Sequence, residues 1–196
     1  MSDGRLGSVL LRVCRIGYES GEVKEIYKEI GRATGGWIPN FYRTLAQRPA
    51  LLEGFWKMQS TLIFKGKVSR QHREMVNVFI GLKNACEYCV YHHSALARRV
   101  GVSKDKLDAV EKYAESPLFD EVEKLILRYA EEYQSRPGAS PEVIDSLRKH
   151  YSEEQLVELD VLIGIANLAN RLNISFDIEI DHAPEQQAAL SKRVGR

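Results

Sequence analysis

Apolar residues recur along this chain at helical intervals. Val23, Ile26, Tyr27 and Ile30 form one i, i+3, i+4, i+7 stripe, which opens after Ser20 and closes at Gly31. Thr34-Gly35-Gly36 then marks a loop, and Pro49 suits the first turn of a helix carrying Leu52, Phe55, Trp56 and Leu62, stopped at Lys65-Gly66-Lys67. Ser69 caps a helix whose buried face is Met75, Val76, Phe79, Ile80 and Leu82. Gly81 and Asn84 weaken it. With Glu87 three residues on, Asn84 is expected to N-cap a new helix that runs to about Val100 and ends at Gly101.

The same period continues to the far end of the chain. Ser103 begins a short helix through Leu107, Val110 and Tyr113, and Pro117 opens a longer one through Leu118, Val122, Leu125, Ile126, Tyr129 and Tyr133. After the break at Arg136-Pro137-Gly138, Ser140-Pro141 starts a helix to about His150. Ser152 and Gln155 form a capping box for a last helix reaching Leu172, apolar almost all round between Val161 and Leu172 and so expected to be central. Only Ile174 to Ile180 alternates like a strand. It has nothing to pair with, so an extended arm is expected, and the fold class is all-α. A faint echo joins Ile80-Gly81-x-x-Asn84 to Ile163-Gly164-x-x-Asn167.

Composition narrows the classes of function. A chain of 196 residues with 44% hydrophobic and 28% charged side chains can bury a core without a staple. With 28 basic against 27 acidic residues there is no global field to draw nucleic acid or an anionic membrane. Val9-Leu10-Leu11 is interrupted by Arg12, too short for a secretory signal, and Val161–Leu172 falls short of the roughly 20 residues that span a bilayer. A cytoplasmic location is the expectation. Three cysteines without a secretory signal do not form a disulfide framework, so their chemistry rests on their setting. Cys14, near Val13 and Ile16, is expected to be a packing residue.

That setting is richest between Glu74 and Ala95, EMVNVFIGLKNACEYCVYHHSA. At roughly 100° per residue, Cys86, Cys89 and His93 share one helix face, and an i, i+3 pair has Cα atoms about 5–6 Å apart, within disulfide range. With Asn84 as N-cap, both cysteines fall in the first turns, where free N–H groups and the positive dipole end favour a thiolate. His93 then serves as nearby cation or proton relay. Glu74 lies about 18 Å from Cys86 on one unbroken helix. A reversal at Gly81–Asn84 brings it back beside the cysteines as a candidate general base.

Glu-x11-Cys-x2-Cys-x3-His, filled by Glu74, Cys86, Cys89 and His93, resembles the signature of the carboxymuconolactone decarboxylase/alkylhydroperoxidase D superfamily. Pro49-Ala50-Leu51-Leu52, the Gly101 turn and Asn167-x-x-Asn170-Arg171 resemble its peroxidase-related branch. The similarity covers roughly residues 35–182, leaving 1–34 as an N-terminal helical extension and 183–196 as a polar tail. The resemblance implies an all-α, alkylhydroperoxidase D-like bundle with the cysteine pair at the N-terminus of a core helix. It implies a homo-oligomer that reduces hydroperoxides without cofactor or metal, recycled by an external dithiol of lipoyl or thioredoxin-like type. It implies that Cys89 attacks the peroxide, Cys86 resolves the sulfenic acid, Glu74 is the base and His93 its relay. One departure is Tyr88, where members can carry a histidine: a phenol, with an ordinary pKa of about 10, is a poor proton relay at neutral pH.

Plainer readings stand beside this one. The cysteines can be buried apolar thiols, or a redox sensor without efficient turnover. A lactone decarboxylase-like enzyme does not need the cysteine pair. Zinc is a rival because Cys86, Cys89, His92 and His93 are all ligand types, yet crowded on one helix they cannot surround a tetrahedral ion. His92 is expected at the surface, His72 and His150 without partners, and Tyr88 and Tyr91 in the core. The Val161–Leu172 helix and the region of Trp37 and Trp56 offer spare apolar surface, which points to at least a dimer.

Overall fold

Side-chain caps set most of the helix starts. A computed structural model describes residues 21–181, and among them are nine α-helices, one 3-10 turn and no strand. They are α1 (Gly21–Thr34), α2 (Asn40–Leu45), α3 (Pro49–Lys65), α4 (Arg70–Lys83), α5 (Glu87–Arg99), α6 (Lys104–Ala109) with the 3-10 turn Val110–Lys112, α7 (Glu121–Ser135), α8 (Pro141–Leu147) and α9 (Glu153–Ser175). Ser69, Ser103 and Ser140 accept hydrogen bonds from the backbone N–H three residues on, as their positions predict. Ser152 and Gln155 bond reciprocally at the start of α9. Cys14, the opening at Ser20 and the polar tail lie outside the described residues.

Three boundaries differ from expectation. Gly31 lies inside α1, which continues to Thr34 because the left-handed backbone comes later, at Gly35 (φ +82°) and Gly36 (φ +100°). The helix expected at Pro117 starts at Glu121. There Asp120 accepts from the N–H of Glu123 while the Glu123 carboxylate accepts from the N–H of Asp120, a closed capping box that Pro117 has no means to match. The alternating segment after Ile174 begins as the last turn of α9, then turns at Asp177 (φ +45°) and runs on without pairing.

Of the described residues, 21–60 with 175–181 form one compact unit, and Thr61–Ile174 form another. In the first, Val23, Tyr27 and Ile30 of α1 are buried, as are Leu52, Phe55 and Trp56 of α3. Phe41 and Tyr42 meet Phe55 and Trp56 edge to face, with centroids 5.1 and 5.7 Å apart. Trp56 donates its indole N–H to Glu29 at 2.7 Å, so it is core rather than the spare surface expected of it. Pro39 has no side chain to cap α2. The Asp181 carboxylate does so instead, accepting from the N–H of Asn40 at 2.6 Å.

The second unit holds the chemistry-bearing segment. Met75, Val76, Phe79 and Ile80 of α4, Ile126, Leu127 and Ala130 of α7, Leu147 of α8, and Leu159 and Ile163 of α9 are all buried there, and α4 packs against α7. Each such side chain adds about 1.5–3 kcal/mol when fully covered. The α9 helix is not buried all round, for Leu168 is 47% and Val157 64% exposed.

His72 has a partner that spacing did not suggest: its Nδ1 lies 2.6 Å from the hydroxyl of Tyr151. Burial holds the imidazole below its ordinary 6.5, as does Lys106, against the upward pull of Glu123 and Asp120. Burial also pushes the Tyr151 phenol up to about 12, so the phenol keeps its proton at neutral pH. Between the lowered folded pKa and 6.5 the unfolded chain binds more protons. The contribution of this pair is therefore full above 6.5 and is lost as pH falls toward the folded value. We expect urea unfolding to show stability falling as pH drops below 6.5, with a shallower fall in His72→Gln. Equal slopes would remove His72 from the account.

Candidate active site

The corner between α4 and α5 builds the site. Ala85 N–H donates to Leu82 O at 3.0 Å and Cys86 N–H to Gly81 O at 2.8 Å, the double hydrogen bond of a Schellman stop, with Ala85 left-handed at φ +54°. Asn84 is thus the C-cap of α4. The expectation that it N-caps α5 is corrected: Cys86 is the N-cap, and its Sγ accepts from the N–H of Cys89 at 3.3 Å. The residue that ends one helix motif starts the next, so the two helices reverse within three residues.

A non-glycine residue in the left-handed region costs about 1–2 kcal/mol. Ala85→Gly is therefore expected to raise the unfolding free energy by up to about 1 kcal/mol, less the entropy glycine adds to the unfolded chain. Urea titration measures it, and a loss of stability would mean that the Ala85 methyl makes a compensating contact.

Close approach at the corner needs glycine for a different reason. A Cβ on Gly81 would stand 3.1 Å from Val90 Cγ2, 3.3 Å from Val90 N and 3.4 Å from Cys89 Cβ, so the bare backbone of α4 is what seats the first turn of α5.

The hairpin brings the signature residues into two bonded pairs. Cys86 and Cys89 form a disulfide with Cα atoms 5.3 Å apart, and the residues are 1% and 3% exposed. Glu74, on the first half of α4, meets His93 on α5, with Oε2 2.7 Å from Nδ1. The reversal thus returns Glu74 to the cysteine helix. Among the described residues neither Glu74 nor His93 hydrogen-bonds directly to a sulfur. His93 is one turn beyond Cys89 on α5, so the two share one face of that helix.

The polar groups that do touch the Cys89 sulfur come from α9. Asn170 Nδ2 lies 3.0 Å and Asn173 Nδ2 3.2 Å from Sγ. Spacing missed both. The available signal was Asn167, Asn170 and Asn173 at i, i+3, i+6 along an otherwise apolar helix, one polar stripe with no evident solvent role. Asn84 donates to Asn167 Oδ1 at 3.0 Å, so the two asparagines of the internal echo meet.

The remaining candidates occupy plainer positions. Tyr88, between the cysteines, is buried, and its ring lies 4.4 Å from that of His92. His92 is half-buried between Tyr88 and Tyr91 rather than at the surface. Tyr91 is half-buried and His150 exposed. Among the described residues no three His, Cys, Asp or Glu side chains converge as a metal-binding group, and no helix is long and apolar enough to cross a membrane.

Comparison with known proteins finds relatives of the sequence and of the fold. Residues 49–132 match the Carboxymuconolactone decarboxylase family. The uncharacterized protein YnjA of Escherichia coli (strain K12) is 41% identical over 111 residues, which is 54% of this chain and 59% of that protein's length. The chain therefore spans less than two thirds of that relative. Among solved structures, the debrominase Bmp8 in complex with 2,3,4-tribromopyrrole superposes with a TM-score of 0.74 at 23% identity, covering 92% of this chain and 96% of that one. An uncharacterized peroxidase-related protein from Silicibacter sp. TM1040 gives 0.75 at 19% identity, covering 88% and 91%. At such identities these structures show the fold, which is all-α and alkylhydroperoxidase D-like.

Proposed function

We propose that this chain, whose residues 49–132 match the Carboxymuconolactone decarboxylase family, belongs to the carboxymuconolactone decarboxylase/alkylhydroperoxidase D-like superfamily and is a thiol-dependent oxidoreductase that reduces hydroperoxides through Cys86 and Cys89. The observation that carries the reading is the pairing itself: a Cys86–Cys89 disulfide at the start of α5, with the Glu74–His93 couple on the same helix hairpin.

The steps follow from the atoms present. The Cys89 thiol gives its proton to the Glu74–His93 couple, and the thiolate attacks the terminal oxygen of the hydroperoxide. An S–O bond forms, the O–O bond breaks, and its electron pair leaves with the alkoxide, which takes the proton back to become the alcohol. Cys86, as thiolate, then attacks the sulfenic sulfur of Cys89 and expels hydroxide, which is protonated to water as the disulfide closes. An external dithiol, lipoyl or thioredoxin-like, restores the pair by two exchanges. The net reaction consumes one hydroperoxide and one dithiol and yields one alcohol, one water and one donor disulfide.

Val157, Leu168 and Ile174 stay exposed along α9, which supports association of copies of the chain.

The test is turnover. Purified protein with an organic hydroperoxide and dihydrolipoamide should consume the two in equal amounts over many cycles. Loss of the Cys86 and Cys89 thiols with one equivalent of peroxide, and no further consumption, would leave a redox sensor in place of a peroxidase.

A further inference from the structure

A line of side-chain amides ends on the Cys89 sulfur. Gln134 of α7 donates from Nε2 to Asn84 Oδ1 at 3.2 Å, Asn84 donates from Nδ2 to Asn170 Oδ1 at 3.1 Å, and Asn170 donates from Nδ2 to Cys89 Sγ at 3.0 Å. Asn173 adds its own Nδ2 at 3.2 Å. Because the oxygen of Asn170 is taken by Asn84, its NH₂ end has one direction left, toward the sulfur. The two cysteines are served unequally. Cys86 Sγ accepts one backbone N–H, while Cys89 Sγ meets two side-chain donors.

A neutral disulfide has little use for this. Its sulfurs are weak acceptors and would rest equally well among leucines. Asn170 and Asn173 are 2% and 5% exposed, and Asn173 Oδ1 is buried with no hydrogen-bond partner among the described residues. An amide buried with half its capacity unmet works against folding. What two converging N–H donors do suit is an anion, since hydrogen bonds to a charged acceptor are roughly twice as strong as neutral ones.

Resting on the reading of Cys86 and Cys89 as a redox pair, we infer that Asn170 and Asn173, with Asn84 as the positioning residue that aims Asn170, hold the Cys89 sulfur as a thiolate and so favour the reduced form of the pair. When an external dithiol opens the disulfide, two electrons pass to the cysteines and the donor closes its own S–S bond. Of the donor's two thiol protons one goes to Cys86 and the other to the Glu74–His93 couple, so Cys89 keeps its charge against the two amides. A reduced state stabilised in this way makes the disulfide the more oxidising of its kind.

The experiment measures the thiol and the couple separately from peroxide turnover. Cys89 is titrated by its thiolate absorbance with Cys14 and Cys86 replaced by Ser, and the reduction potential is read against dithiothreitol buffers with only Cys14 replaced. Cys89 should titrate below the ordinary value of about 8.5. Asn170→Leu and Asn173→Leu should each raise that pKa by about one unit and make reduction about tenfold less favourable, roughly 30 mV in a two-electron couple. Asn173→Leu should melt no lower than wild type, because it removes an unpaired buried oxygen. Asn84→Asp should also raise the pKa with both α9 amides present, because a carboxylate accepts from Asn170 and turns its NH₂ end away from the sulfur. That readout keeps the inference open to test if Asn170→Leu does not fold. A Cys89 pKa near 8.5, or one unchanged in all three variants while peroxide consumption continues, would overturn the inference and leave the proposed function standing. Variant-dependent pKa values without peroxide consumption would do the reverse.

Discussion

Replacing Glu74 with glutamine is expected to slow peroxide reduction by about 10²–10⁴-fold near neutral pH, the usual cost of losing a positioned proton carrier, with little change in stability. The side chain keeps its shape and its hydrogen bond to His93 but loses the charge that steadies a protonated imidazole. This carboxylate lies 2.7 Å from His93 Nδ1, so its influence on Cys89 is expected to run through that ring. Two assays separate the proton's two transfers. Alkylation of Cys89 needs only the thiolate, so its deficit in Glu74→Gln should be the smaller one and should close as pH rises above the thiol pKa. Peroxide reduction also needs a proton returned to the leaving alkoxide, and that deficit should persist. If both profiles match wild type, Glu74 is a helix charge and nothing more.

The two cysteines should fail in different ways. Cys89→Ser is expected to reduce turnover to background, because a serine hydroxyl has no accessible anion at these pH values and cannot attack the peroxide. Cys86→Ser should keep the first chemical step and lose the second. It should consume about one equivalent of hydroperoxide in a burst and then stall with Cys89 as the sulfenic acid, trappable by a nucleophilic diketone. The two sulfurs have different surroundings: Cys86 is the helix N-cap and accepts one N–H, while Cys89 faces the two amides of α9. Steady turnover by Cys86→Ser at the wild-type rate would mean that the external thiol resolves the sulfenic acid and that Cys86 is dispensable.

Much of the helical scaffold was legible in the sequence because its determinants are close neighbours. Ser69, Ser103, Ser140 and the Ser152–Gln155 pair each act on a backbone group three residues away, and that reach does not depend on the rest of the fold. The cysteine spacing belongs to the same class, since residues at i and i+3 on a helical turn lie within disulfide range wherever the helix goes. The return of Glu74 to the cysteine helix was legible one step further out, from a weak point at Gly81–Asn84 between two strongly periodic runs.

Where two local rules competed, sequence could not choose. Asn84 is a good N-cap and a good C-cap, and the helix reversal made it the second, handing the N-cap to Cys86. Ile174 to Ile180 alternates like a strand, but with no partner edge its first residues stayed helical and Asp181 went to cap α2 from 141 residues away. Above all, the sulfur's environment was decided by tertiary structure alone. Asn170 and Asn173 lie 81 and 84 residues from Cys89, and a side-chain amide records no distant partner in its own spacing. By itself the sequence determined which segments coil and which thiols can join, because those depend on fixed distances along one helix. Only the packing of α9 against the α4–α5 corner decided what those thiols touch, because a hydrogen bond between separate helices exists only once the core has brought them together.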